Sequence, residues 1–182
     1  KIIITDLNGD GEISDDDRTY VGDAQPDLTF GWQNNFTWKN WDFSFFFRGT
    51  IGNKVLNNPR AAYANNTYLI GTNALDDELT YTMKESSRVC SYYLENGSFI
   101  RLDNLALGYT FDTKKINWLD KARLYFAAQN LFVITGYKGL DPEVELFRGE
   151  SSDTDAGLSP GIEPRQFFPK ARTFTLGVNL TF

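Results

Sequence analysis

The chain has 182 residues and a net charge of −6, from 24 Asp and Glu against 18 Lys and Arg, which argues against a nucleic-acid partner, because a polyanion needs a basic face. With no histidine and a single cysteine, Cys90, an internal disulfide, a Ser/His/Asp triad, a Cys/His dyad and a histidine metal site are all excluded. Aromatic residues make up 15%, Phe alone contributing 15 residues, and no apolar run approaches the roughly 18 residues of a membrane helix; a transmembrane β-barrel stays open, because its strands alternate. The first residue is Lys rather than Met and no charged leader precedes an apolar run. The expectation is a mature protein, or a chain that begins partway through a longer one.

Lys1–Ile4 reads as the end of a strand. After a polar segment, Asp27–Trp38 alternates: Leu28, Phe30, Trp32, Phe36 and Trp38 share one face, interrupted by Asn34, and Thr29, Gly31, Gln33, Asn35 and Thr37 share the other. Period two predicts a strand with one apolar and one polar side. Lys39-Asn40 makes a tight turn into Trp41–Ile51. There Trp41, Phe43, Phe45, Phe47 and Ile51 oppose Asp42, Ser44, Arg48 and Thr50, with Phe46 out of pattern, and the pair predicts a hairpin. Residues 52–98 are long and irregular. Strands follow at Phe99–Phe111, at Ala122–Ile134 after the turn DTKKINWLDK, and at Ala171–Phe182 after a second long connection at about 135–170.

These strands exceed the usual globular length and suit a tilted membrane-crossing strand of about 9–11 residues. Connections alternate short and long, as in transmembrane barrels. Trp38, Trp41 and Trp118 all fall at short turns, where indole rings favour one membrane edge. The predicted fold is all-β: an antiparallel transmembrane barrel segment of about six strands. Orienting the last strand towards the periplasm makes the turns periplasmic and the loops at about 5–26, 52–98 and 135–170 extracellular. Because the smallest such barrels have about eight strands and an open edge is prohibitive in lipid, residues 1–182 are expected to be the carboxyl-terminal part of a larger barrel.

DLNGDGEISDDDR, from Asp6 to Arg18, has calcium-loop spacing. Asp6, Asn8 and Asp10 stand at positions 1, 3 and 5, Gly11 at the sharp turn, Glu12 at the carbonyl position, Ser14 at 9 and Asp17 at 12. The spacing wraps hard oxygen donors around one point and predicts a structural Ca²⁺. The departure is Asp17, where EF-hands use a bidentate Glu. The alternative is a metal-free Asn-Gly/Asp-Gly turn.

The run D-x-N-G-D-G at Asp6–Gly11, the step from Asp17-Arg18 to Gly22, and Pro26–Gly31 leading into an aromatic strand resemble the late barrel region of the SusC/RagA family. NGSFIRLDNLALGYTF (Asn96–Phe111), LYFAAQNLFVITGYKGLDPEV (Leu124–Val144) and the terminal TFTLGVNLTF resemble it too. These are TonB-dependent outer-membrane transporters. The resemblance implies a plugged barrel of about 22 strands, a SusD-like surface lipoprotein as lid, energy through the TonB complex, and import of oligosaccharides or, in some members, peptides. Thr175, Gly177, Leu180 and Phe182 fit the terminal pattern of outer-membrane barrels, which implies a signal read by the assembly machinery.

Aromatic residues of the long loops are candidates for stacking on substrate or docking the lid: Tyr63, Tyr68, Tyr92, Tyr93, and also Tyr81, Tyr137 and Phe147. Arg60, Asn65, Asn66 and Arg148 are polar neighbours able to bond hydroxyls, and loop packing is the plainer reading of each. Arg48, Arg101 and Asp103 would face the lumen as a structural charge network. Cys90 carries too little signal for a catalytic role. Asp15–Asp17 and Asp76–Glu78 supply carboxylates but no cleft to pair them as glycoside hydrolysis requires, so no enzyme is expected. The competing readings are a calcium-binding extracellular β-domain of the adhesion or dockerin kind and a siderophore-type TonB-dependent receptor.

Overall fold

The computed structural model describes residues 5–64, 73, 75–76, 90–114, 116, 118–144, 160–165 and 168–182; the expected strand at Lys1–Ile4 lies outside them. Five strands form one antiparallel sheet: β1 (Leu28–Trp38), β2 (Trp41–Ile51), β5 (Phe99–Phe111), β6 (Lys121–Thr135) and β7 (Thr173–Thr181), in spatial order β1-β2-β5-β6-β7. The short strands β3 (Lys54–Leu56) and β4 (Leu94–Asn96) pair with each other, and helix α1 (Asn58–Tyr63) follows β3. The chain divides into two units. One comprises Pro26–Gly52, Asn96–Glu143 and Phe168–Phe182, and carries the sheet; the rest forms the other.

In the sheet unit, register turns the alternation of each strand into continuous rows. Trp32, Phe47, Leu102 and Phe132 are partners across four strands. So are Phe36, Phe43, Leu107, Phe126 and Leu176 across five, and Trp38, Trp41, Tyr109, Leu124 and Val178. Ring contacts tie the rows together: Trp32 meets Phe45 edge-on at 5.1 Å, Trp41 meets Tyr109 at 4.7 Å and Phe126 stacks on Phe174 at 6.2 Å. Much of this face stays open to the surroundings, Trp38 at 67% and Leu176 at 73% exposure. A soluble sheet would bury such a face; an apolar solvent satisfies it.

The opposite face carries the rows Asn35–Ser44–Ala106–Ala127–Thr175 and Thr37–Asp42–Gly108–Tyr125–Gly177. Phe46, out of pattern in the sequence, lies on this polar face. Its ring stands 3.2–3.3 Å from where a side chain on Gly31 would begin, so the missing side chain is the room the ring fills. Nothing in the structure explains Asn34 on the apolar face, opposite Phe45.

A bulge sets the register. Phe46 pairs with Asn104 but Phe47 with Leu102, leaving Asp103 unpaired; across β5 and β6 the ladder slips at the same level, skipping Asp103 on one strand and Asn130 and Leu131 on the other. Asn130 has φ +54, the left-handed conformation that Asn tolerates better than most residues. The extra residue switches parity in β5. Ile100 and Leu102 precede it and Leu105, Leu107 and Tyr109 follow it, yet all keep the apolar face.

The short turns close one end of the sheet. Trp38 pairs with Trp41 around Lys39-Asn40, and Lys39 Nζ sits 5.0 Å from the Trp38 ring. In the β5–β6 turn, Thr113 Oγ1 donates to Asp120 O at 2.6 Å, Asp120 N donates to Thr181 O at 2.8 Å and Trp118 stacks on Phe182 at 5.8 Å.

The second unit has its own small core of Val55, Ala61, Ala62, Ala64 and Tyr93. Asn57 caps α1 by accepting from Arg60 N at 3.0 Å, with Pro59 in the first turn. Leu56 N donates to Gly161 O and Glu163 N to Leu56 O, clasping residues 161–163 beside β3.

Candidate functional site

At the bulge the polar face gathers three cations and three carboxylates. Arg48 of β2 and Arg101 of β5 are register partners. Both guanidinium nitrogens Nη1 and Nη2 of Arg48 donate to the Glu143 carboxylate, the Nη2 bond being 2.9 Å, and Nη2 also reaches Asp103 at 3.3 Å. Arg101, 2% exposed, donates to Asp141 at 2.5 Å and to Asn130 Oδ1. Its Nε has no hydrogen-bond partner and lies 3.7 Å from Glu143. Lys170 Nζ donates to Glu143 at 2.9 Å. A charge this buried is tolerated because it is paired and hydrogen-bonded. Burial pushes the Glu143 carboxyl up, but the hydrogen bonds from Arg48 and Lys170 outweigh it and hold the group below its ordinary value.

Beside the cluster is a cavity of about 330 Å³ lined by Asp103, Asn104, Gln129, Asn130, Lys170 and Ala171. Three amides, a carboxylate and an ammonium offer donors and acceptors to hydroxyl or amide groups. The sequence reading placed Arg48, Arg101 and Asp103 on a lumen face as a charge network, and the structure brings them together. It missed Asn130, Asp141, Glu143 and Lys170. The pairs span 27 to 95 positions, and only the bulge-prone Asn130 left any local trace.

In the Asp6–Arg18 loop, the side chains serve the backbone. Asp6 accepts from Gly9 N at 2.6 Å and Gly11 N at 2.8 Å, and Asp17 from Leu7 N and Ser14 N at 2.8 Å each. Asn8 accepts from Asp10 N and Asp10 from Glu12 N. Ser14 caps the 3₁₀ turn Asp15–Asp17 by accepting from Asp16 N at 3.2 Å, and Asp17 closes the capping box. The amides of Ser14 and Leu7 hold the Asp17 carboxyl below its ordinary value. Among the described residues, no group of three or more His, Cys, Asp or Glu is drawn together as around a metal, and Glu12 stays exposed. The donors are hard oxygens suited to Ca²⁺, and each bonded carboxylate keeps lone pairs beyond the amides it holds.

Of the aromatic candidates, Tyr92 is half exposed and has Arg60 5.2 Å from its ring centre, Arg60 itself being paired with Glu95. Tyr93 is fully buried and Tyr137 nearly so; both pack inside the protein. Tyr63 is half-buried at the end of α1. Tyr68, Tyr81, Phe147, Arg148, Asn65 and Asn66 lie outside the described residues. In β7, Thr175 pairs with Ala127, Gly177 with Tyr125 and Leu180 with Ala122. A side chain on Gly177 would collide with the Tyr125 ring.

No family model matches the chain. It is 36% identical to TonB-dependent receptor P3 of Formosa agariphila over 99% of its length and 19% of that protein. To TonB-dependent receptor SusC of Bacteroides thetaiotaomicron it is 30% identical over 99% of its length and 17% of that protein. The chain therefore spans about a fifth of the length of the curated relatives it matches. Its fold superposes on a chain of the RagAB peptide transporter with a TM-score of 0.69 and 26% identity, over 94% of this chain and 19% of that one. Two-faced sheet, alternating connections and end-to-end similarity lead to one assignment: the chain is a segment of the outer-membrane β-barrel of a TonB-dependent receptor of the SusC/RagA type.

Proposed function

We propose that the whole protein is a transporter, not an enzyme, that imports oligosaccharides or peptides across the outer membrane with a SusD-like lipoprotein as lid and TonB coupling as energy source. The observation that carries this is the one-sided sheet: apolar rows fit lipid, and the polar rows, cavity and ion cluster fit a water-filled lumen. Similarity to a chain of RagAB, a peptide transporter, supports the peptide class, and similarity to SusC and RagAB supports the lid; the oligosaccharide class rests on the resemblance of the sequence motifs. In this reading the long connections at about 5–26, 52–98 and 135–170 are extracellular and the short turns periplasmic. Tyr92, with Tyr63 beside the same helix, is the aromatic surface for substrate or lid, and the segment holding Thr175, Gly177, Leu180 and Phe182 is read by the assembly machinery. Purification of the intact transporter from outer membranes tests it: a surface lipoprotein should come with it, and deletion should abolish growth on one oligosaccharide or peptide. A transporter that purifies without a lipoprotein, and whose loss impairs only iron uptake, is instead a siderophore receptor.

The loop of Asp6, Asn8, Asp10, Glu12, Ser14 and Asp17 is proposed to hold a structural Ca²⁺, supported by its ligand spacing and by the amides that pin both ends. Calorimetric titration of the intact transporter should show one site that Asp6→Ala removes; no heat at millimolar Ca²⁺ overturns it.

A further inference from the structure

The polar side chains around the recess at the bulge fall into two sets. Asp103 and Asn130 serve the fold. Asp103 accepts from Arg48 Nη2 on one oxygen and from Asn104 Nδ2 on the other, both at 3.3 Å. Asn130, in the left-handed conformation at φ +54, accepts from Arg101 on Oδ1 and donates through Nδ2 to Lys170 O at 2.7 Å and Ala171 O at 3.3 Å.

Asn104 and Gln129 form the other set. They are register partners on β5 and β6, both are exposed, and both line the recess of about 330 Å³. Among the described residues, the Gln129 carboxamide bonds to no protein group, and Asn104 engages only Nδ2, leaving Oδ1 open. Cross-strand partners root their side chains about 5 Å apart, and each carboxamide carries both donors and an acceptor. The surrounding charges are balanced, Arg48, Arg101 and Lys170 against Asp103, Asp141 and Glu143, which favours a neutral ligand. No aromatic ring lines the recess; Phe46, on the same row, turns its ring over Gly31 instead. A sugar ring has an apolar face that such a lining leaves uncovered. An extended peptide instead presents the N–H and C=O of one residue side by side, repeating on the same edge about every 6–7 Å.

We propose that Asn104 and Gln129 are a subsite for the main chain of an extended peptide, Gln129 bonding the N–H and C=O of one residue and Asn104 Oδ1 accepting the next N–H on that edge. This rests on the transport reading above, with the polar face as the wall of the passage. Calorimetric titration of the full-length protein tests it with three probes: pentaalanine blocked at both ends, the same peptide N-methylated at every amide, and maltopentaose. The blocked peptide should bind, and its N-methylated form about tenfold more weakly or worse. Asn104→Ala/Gln129→Leu should weaken the blocked peptide by about tenfold and abolish the discrimination against the methylated one. No binding of the blocked peptide at millimolar concentration overturns the subsite, as does unchanged affinity in the variant. An equal loss for maltopentaose assigns the pair to hydroxyl groups and overturns it too. If the double variant does not assemble, Gln129→Leu, which breaks no hydrogen bond of the fold, should still weaken the unmethylated peptide alone. Failure of both to assemble assigns the carboxamides to the fold and removes the subsite. Unchanged affinity leaves the transport reading standing, whereas purification without a lipoprotein and a loss confined to iron uptake defeat that reading whatever the peptide affinities are.

Discussion

Gly108 and Gly177 show how single residues shape the polar face. A side chain on Gly108 would collide with the Asp42 carboxylate and Arg123 Nη2, which bridge over it from the strands on either side. The ion pair is part-exposed, with side chains 39% and 27% accessible, so it contributes no more than about 1 kcal/mol. Crowding the site costs more, about 1–3 kcal/mol for an overpacked contact. Gly108→Val should thus lower the unfolding temperature of the full-length protein further than Asp42→Asn does; equal shifts would mean that the pair, not the space, matters. Glu143 allows a pH prediction. Arg48 and Lys170 bond its carboxyl directly, Arg101 lies 3.7 Å away, and Asp103 and Asp141 are the neighbouring anions. Its folded value lies below the ordinary 4.5. The stability it contributes is therefore fully present above 4.5 and lost as pH falls through the lowered value. Hydrogen exchange over residues 141–143, corrected for intrinsic rates, should be flat from about pH 8 to pH 5 and rise only in stronger acid.

At the scale of elements, the strands were legible because each has one wet and one dry side, and period two survives in the sequence. The β2 limits match Trp41–Ile51 and the β5 limits match Phe99–Phe111. Two features were hidden. In RLDNLAL the apolar residues change parity between Leu102 and Leu105, which reads as a lapse until Asp103 is seen to be the unpaired residue that restores the face. Phe46 reads as an error until Gly31 is seen beneath it. The ion cluster was half legible: strand charges show as polar positions, whereas Asp141, Glu143 and Lys170 sit in loops, where no periodicity says what they meet. The bulge gives a sharp test. Deleting Asp103 shifts every residue on one side of it to the wrong face, putting Leu105, Leu107 and Tyr109 in the lumen or Ile100 and Leu102 there. The deletion should abolish the folded, heat-modifiable band of the full-length protein on gels, while Asp103→Ala, which keeps the residue count and loses one arm of the Arg48 network, should retain it. A deletion that assembles normally would show that the slip does not set the register.

For the whole molecule the question is what a five-stranded open sheet needs. Among the described residues, β1 and β7 each pair on one side only, so each presents a row of backbone donors and acceptors at its outer edge. In lipid each unpaired group costs several kcal/mol, and over the nine residues of β7 that sum exceeds the roughly 5–15 kcal/mol by which whole domains are stable. In water the edges would be satisfied, but Phe174, Leu176 and Val178, each at least 60% exposed, would stand in solvent with the aromatic rows beside them. Neither solvent suits the segment alone; only further strands at both edges, inside a bilayer, satisfy backbone and side chains together. Expressed by itself, the 182-residue chain should aggregate or demand detergent, whereas within the full-length protein the same residues should resist protease up to the loops. A calcium-binding extracellular domain makes the opposite prediction, a soluble monomer in buffer, because its apolar face would have to close on itself. Size-exclusion chromatography without detergent separates the two: a monodisperse soluble monomer would contradict the open, lipid-facing sheet on which the transporter reading stands.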